Sequence, residues 1–482
     1  MPDTQPESTR PDPRRWQALG LLCTAFFMAI LDSAIVLVAL PSIDADLGFA
    51  PGSLQWVMSA YFLSFGGLLL LGGRMADLLG RRRMFMTGTG LFALASLGAG
   101  LAGTDRALIA ARAVQGVAAA VMTPTAMSIL TTTFREGAER NKALGFWTAT
   151  GAIGGTAGWL IGGPITDALG WEWIFFLNVP VAAAVALLSP ALLRESRAAV
   201  GVRRFDFAGA ATITAAFVAL VYAVVEAPEA GWGSAQTIGL LALAAALTGV
   251  FVAVEARSAA PLAPLHVFRS RALVGGNLVL LALGILAYGV PFVLTQYGQE
   301  VLGWSPMQFG VAFFVSPVMV GVTSSVGQAA ATKRGVRPVV VVAMVLLALS
   351  SLVLTQVRVD GNYLRDFFPG VLLMGLGIGG AYVAGSIASV AGVRESDAGL
   401  ASGLSNASFQ IGAAVGVAIV STVAVSGAHG GRSLAALTEG YQDAFAVSIA
   451  FAVVGAAIAG LLLGVRPGRS AATETEPAAA RA

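Results

Sequence analysis

The stretch Gly72-Gly73-Arg74-Met75-Ala76-Asp77-Leu78-Leu79-Gly80-Arg81-Arg82-Arg83 decides how this chain is read. It joins two apolar runs, at about 53–71 and 84–103, each long enough to cross about 30 Å of hydrocarbon. Four arginines, one aspartate and paired glycines are confined to a connection too short to fold by itself. Its residues must serve the two helices that it joins. Outward from it, the chain repeats one format: long apolar run, brief charged hinge, long apolar run.

Composition agrees. Of 482 residues, 56% are hydrophobic and 11% charged, with a mean hydropathy of +0.79; a soluble domain carries about 25% charged residues. The net charge of +3 is dispersed over short connections, which points to membrane topology and away from a nucleic-acid partner. Cys23 is the single cysteine, so no intrachain disulfide forms, and His266 and His429 stand in separate connections, so no metal site is expected. The chain has neither a phosphate-binding glycine loop with its lysine nor a nucleophile elbow. These absences weigh against an enzyme and against an ATP-driven pump, and no cofactor is expected.

Fourteen runs approach the required length, at about 16–40, 53–73, 84–103, 107–130, 143–164, 172–193, 207–226, 235–255, 272–296, 306–328, 339–357, 366–387, 401–426 and 442–465. The expected fold is an all-α integral membrane protein with fourteen transmembrane helices. An even count puts both termini on one side. Of the 29 basic residues, 24 fall in connections on that side and 4 (Arg106, Arg358, Arg365, Arg432) on the other, with Arg112 inside a run. Positive charge marks the cytoplasmic face, so both termini are expected there. Trp16 and Trp147 then fall near the inner interface, and Trp56, Trp171, Trp173, Trp232 and Trp304 near the outer one, as aromatic belts require. Trp159 is the exception, inside the fifth run. Glycine-patterned fifth and thirteenth runs, with short basic connections after the second and tenth, hint at repeated halves. The expected organisation is a disordered tail at 1–15, a six-helix bundle at 16–193, a linker with two inserted helices at 194–271, a second six-helix bundle at 272–465 and a disordered tail at 466–482.

Asp32 interrupts the first run, eight residues from its expected outer end and about 12 Å deep at 1.5 Å per residue. An ionised, unpaired carboxylate is costly there, so it must face a wet cavity or a partner. That makes it a proton acceptor or cation contact, or else part of a structural network. Arg112, in the outer part of the fourth run, is the expected partner; the alternative is an arginine that snorkels to the interface. Gly154, Gly158 and Gly162 recur every four residues and form a ridge on which another helix packs closely, as do Gly412 and Gly416. Close packing and a sliding seam both fit that spacing. Gln115, Trp159, Asn277, Gln296, Asn406 and Gln410 are candidates to line a substrate cavity, and Asn178 could line the substrate path too, although intramembrane amides such as these more often serve as interhelical hydrogen bonds.

With these residues in view, the chain resembles the fourteen-helix drug:proton antiporters of the major facilitator superfamily over nearly all of 16–465. Gly73 to Arg83 is similar to the superfamily's loop between helices 2 and 3. Asp32 to Pro41 resembles the helix 1 motif of this branch, Arg112 to Pro124 its helix 4 motif, and Gln299 to Pro306 and Gly399 to Gly403 two later stretches. The resemblance implies two bundles rocking around a central cavity and a monomer in the bilayer that exports small amphipathic compounds in exchange for protons. It implies proton coupling at Asp32 and Arg112. It also implies a conformational latch at Gly73, Asp77, Gly80, Arg81 and Arg82, with Asp77 at a helix N-terminus, where a carboxylate meets free amides and the helix dipole. The chain departs from the pattern at Gly158-Trp159, where the helix 5 motif carries Gly-Pro; an aromatic face toward substrate is one reading of Trp159 and packing is another. Proton-coupled uptake or facilitated transport of a metabolite is the alternative function, since one fold serves both directions.

Overall fold

The computed structural model describes residues 13–464 apart from 51, 198–205, 259, 260, 262, 264, 394–397 and 432, and the side chains of 228, 229 and 398. Most of both expected tails, Arg394, Arg432 and part of the linker lie outside the described residues. All long elements among the described residues are helices: α1 (Arg15–Leu47), α2 (Trp56–Leu79), α3 (Arg81–Gly100), α4 (Asp105–Thr133), α5 (Ala138–Leu169), α6 (Glu172–Leu192), α7 (Phe207–Ala230), α8 (Ala235–Arg257), α9 (Arg271–Val301), α10 (Pro306–Arg334), α11 (Val336–Leu354), α12 (Tyr363–Val390), α13 (Ala398–Gly427) and α14 (Leu434–Leu462). Twelve are long and apolar enough to cross a membrane. The other two, α3 and α5, carry glycine and threonine where their neighbours carry leucine, isoleucine and valine, and both open on charged residues.

Short polar caps begin many of these helices. Thr104, Asp206, Ser234, Ser270, Ser305 and Ser433 each accept a backbone N–H from the first turn, satisfying donors that no apolar surroundings could. One boundary differs from expectation. Pro41 lies inside α1, not at its end, and the helix continues to Leu47. Asp32 is therefore near the middle of α1, not eight residues from its end.

Helices α1 and α9 are buried along most of their length, whereas α8 is almost wholly exposed on an apolar surface. The glycine ridge of α5 explains the first of these. A Cβ on Gly154 would press on the Phe27 carbonyl, one on Gly158 on Ala34 and Leu31, and one on Gly162 on Ile35. Backbone therefore meets backbone on both sides of Asp32. The relation recurs between α13 and α9, where Gly412 and Gly416 lie against Leu281 and Ile285. Helices α2 and α13 run antiparallel along their shared face, with Ser59 Oγ donating to the Ala414 carbonyl at 3.2 Å and Gly66 against Gln410. The pair α7–α8 rests on this face through α7, where Thr422 Oγ1 donates to the Val224 carbonyl at 3.3 Å.

Between α5 and α10 the links gather at the end of the molecule away from residues 72–83. The Met307 N–H donates to Asp167 Oδ2 at 3.1 Å. Gly163 abuts the Pro306–Met307 backbone, and Gly310 abuts the Trp159 carbonyl. Nearby, Gln299 Nε2 donates to the Val38 carbonyl at 2.8 Å, joining α9 to α1.

Candidate functional site

Five helices, α1, α2, α3, α4 and α6, meet at Asp32. Arg112 and Gln115 are three residues apart on α4, so they share one face. Arg112 Nη1 donates to Asp32 Oδ2 at 2.6 Å and to Gln115 Oε1 at 2.9 Å, and its Nε donates to the Val57 carbonyl of α2 at 2.9 Å. Asn178, early in α6, donates to Asp32 Oδ1 at 2.8 Å. Gln115 Nε2 donates to Ser96 Oγ of α3 at 2.8 Å and lies 3.4 Å from Asp32 Oδ1. The guanidinium face lies over the Tyr61 ring at 4.3 Å, with Phe175 at 5.8 Å, which adds cation–π attraction in a dry setting. Both charged side chains are 0% exposed.

The cluster therefore has charge-assisted bonds, the strong kind, and the ionised carboxylate collects three donors. Only Arg112 Nη2 is left without a protein partner. Removing either member of such a pair leaves an uncompensated buried charge, at a cost of roughly 3–5 kcal/mol. Sequence reading found Asp32 and Arg112, but it assigned Gln115 to substrate. For Asn178 it allowed a substrate path or an interhelical bond, and it passed over Tyr61 and Ser96 entirely. Those two had no signal, because an aromatic ring and a serine in an apolar run look like ordinary core.

Next to this cluster stands a link to the other half of the chain. Ser33 spends its proton on the Ile30 carbonyl at 2.8 Å, so its oxygen accepts from the Tyr288 hydroxyl of α9, 3.3 Å away. The Tyr288 ring meets Phe62 edge-on at 4.5 Å and Phe409 at 6.0 Å, and Phe409 meets Tyr382 at 5.3 Å.

The other cavity candidates scatter. Trp159 is buried, its ring 4.1 Å from Phe313 and 6.2 Å from Phe309 of α10, so in this structure its face is taken up by packing. Asn277 donates to the Leu273 carbonyl at 2.8 Å and accepts from Ser408 at 2.9 Å. Gln410 is buried against Gly66, and Gln296 is half-buried near the end of α9. Asn406 is exposed to a cavity of about 150 Å³ that is also lined by Leu280, Tyr382, Ser386, Val390, Ser402 and Ser405.

In the loop at 72–83, Asp77 accepts from Arg81 Nε at 3.1 Å and from Nη2 at 2.9 Å. The N-terminus of α3 is held instead by Glu195, whose oxygens accept from the backbone N–H of Arg82 at 3.1 Å and of Arg83 at 3.2 Å. Gly80 makes the turn at φ 114°, and a Cβ there would strike the Glu195 carboxylate. The carboxylate that meets free amides, as the dipole argument requires, is thus Glu195 in this conformation. Nothing in the sequence near Glu195 marked it, since its partner lies more than a hundred residues away.

A buried ion pair in a bundle of long apolar helices, with paired glycine ridges, is the anatomy of a membrane transporter. The Major Facilitator Superfamily model matches residues 22–315 and 272–482, and the chain belongs to that family. It is 40% identical to the puromycin resistance protein pur8 of Streptomyces alboniger, over 92% of this chain and 89% of that one. It is 42% identical to the cephamycin export protein CmcT of Amycolatopsis lactamdurans, over 89% and 88%. These relatives agree with the resemblance to drug exporters. The fold is shared with crystal structures of an auto-inhibited POT family peptide transporter (TM-score 0.69, 14% identity, 95% of this chain and 99% of that one) and of the nucleoside transporter NupG (TM-score 0.67, 12% identity, 92% and 99%). The protein is a multi-span membrane transporter.

Proposed function

We propose that this transporter exports small amphipathic drugs, antibiotics or secondary metabolites from the cell in exchange for protons, by alternating access. The observation that carries the reading is the fully buried Asp32–Arg112 pair with its polar shell. Ionised, Asp32 satisfies three donors; protonated, it loses acceptor capacity and leaves the guanidinium without its counter-charge. The two protonation states therefore favour different packing around α1. Ser33, the next residue, carries that change to Tyr288 in the second half of the chain. The relatives named for puromycin resistance and cephamycin export support the outward direction.

In this reading all fourteen helices span the membrane, α3 and α5 among them, because interior packing allows glycine-rich helices that lipid alone would not favour. Helices α1–α6 and α9–α14 form two bundles with α7 and α8 inserted, and both termini are cytoplasmic. The links among α1, α5, α9 and α10 then lie at the outer end, so the conformation is closed to the outside. The test is drug accumulation in an efflux-deficient host expressing the protein, with and without a proton uncoupler. Lowered accumulation that the uncoupler restores is expected. A gain of accumulation driven by the gradient would replace export with uptake.

A further inference from the structure

The cavity between α9, α12 and α13 is chemically distinct from the charged cluster. Its lining carries the hydroxyls of Tyr382, Ser386, Ser402 and Ser405 and the amide of Asn406, with Leu280 and Val390 as apolar floor and rim, and no charged side chain. Asn406 and Ser402 are exposed to it, and Tyr382 is 38% exposed. Ser405 is already engaged, donating to the Ala401 carbonyl and lying against Ser389 Oγ. Asn406, in contrast, is exposed on the lining, and its amide has both a donor and an acceptor to offer. At about 150 Å³, the cavity is smaller than the roughly 300–1,000 Å³ of a drug-sized site. It is comparable to an engineered cavity of about 150 Å³ that takes one benzene ring. An aromatic run leads out of it, from Tyr382 through Phe409 to Tyr288, and so to Ser33 beside Asp32.

We infer that this cavity is a subsite for one uncharged, hydroxyl-bearing ring of the exported compound, a sugar or a phenol, with Asn406, Ser386 and Ser402 as the residues that select it. The inference rests on the efflux reading and deepens it. Size admits a single ring. The absence of charge gives a cation or a carboxylate no counter-charge, so neither is favoured over a neutral group. Hydroxyls and an amide favour a group that can both donate and accept; an ether analogue leaves their bonds unmade, and such sites discriminate strongly against the analogue. The rings of the aromatic run meet edge to face and give the remainder of the compound an apolar border on that side.

The test is equilibrium binding to the purified full-length protein, using methylumbelliferyl glucoside and, as the ring-deleted probe, methoxy-methylcoumarin. Wild type is expected to favour the glucoside. Asn406→Leu is expected to lower the ratio of the two affinities by about tenfold, the effect of one lost hydrogen bond. Ser386→Ala, a milder change in volume, is expected to lower it in the same direction. No preference in the wild type, or a ratio unmoved in both variants that still elute as folded monodisperse protein, overturns the subsite. Drug accumulation by the same wild-type protein separates the two failures. Export without glucoside preference removes the subsite alone, whereas absence of export removes the reading beneath it.

Discussion

At the scale of single residues, Asp32 and Tyr288 carry the argument. Asp32→Asn keeps the shape of the side chain and removes its charge. The Asn178 and Arg112 bonds weaken while the guanidinium keeps Gln115 and the Val57 carbonyl. The variant gives up much of the roughly 3–5 kcal/mol held in the pair, so transport is read per folded molecule in energised vesicles, where loss of gradient-driven transport is expected; full gradient-driven activity would take Asp32 out of the mechanism. Tyr288→Phe deletes one hydroxyl and leaves the ring on Phe62 and Phe409. A single neutral hydrogen bond is worth about 1 kcal/mol, so the expected result is a transport rate lowered several-fold at unchanged expression, read as drug efflux per molecule. The ion pair was legible in the sequence because charges inside an apolar run are costly. The polar shell was not, since Ser96, Asn178 and Tyr61 take their meaning only from three-dimensional proximity. Trp159 was visible as an anomaly, but its packing on Phe313 depends on a helix more than a hundred residues further along.

At the scale of elements, two contacts make opposite demands. Glu195 caps α3 from across the first half of the chain, so Glu195→Ala is expected to lower stability by about 1 kcal/mol, measured as a lower melting temperature of the detergent-solubilised protein. Asp77→Ala removes only a partly exposed pair with Arg81 across the Gly80 turn, worth about 0.2–1 kcal/mol for a pair of that kind. A large transport defect in Asp77→Ala with melting unchanged would mark a role in another conformation, as the family resemblance implies. The α5–α10 contact is different in kind, because Gly163 presses directly on the Met307 backbone. Gly163→Val is expected to pry these helices apart. Introduced cysteines at Asp167 and Met307 should then cross-link less efficiently than in the glycine parent; equal yields would show that the contact tolerates bulk. The long helices themselves were legible from hydropathy. The run of α1 past Pro41 was not, because proline marks a probable boundary only where no neighbouring helices hold the chain in place.

At the scale of the whole molecule, the ion pairs described above sit apart from the contacts described across the seam. The ion pairs Arg15–Glu139, Asp77–Arg81, Arg112–Asp32, Arg140–Glu136 and those of Arg82 and Arg83 with Glu195 all join residues of the first half to each other. The links described across the seam are of another sort: glycine against backbone, amide or hydroxyl to carbonyl, hydroxyl to hydroxyl between Ser33 and Tyr288, and one backbone N–H to the Asp167 carboxylate. Dissolved ions weaken attraction between exposed charges over about 10 Å at 0.1 M, but they do little to a contact between bare backbones. Raising ionic strength at a fixed proton gradient should therefore leave the rate of transport of an uncharged compound nearly constant, as measured in energised vesicles. A steep fall with added salt would mean that charge-to-charge attraction holds the halves together after all. A seam built mainly of uncharged contacts is thus expected to let the transporter work alike in dilute and in salty surroundings.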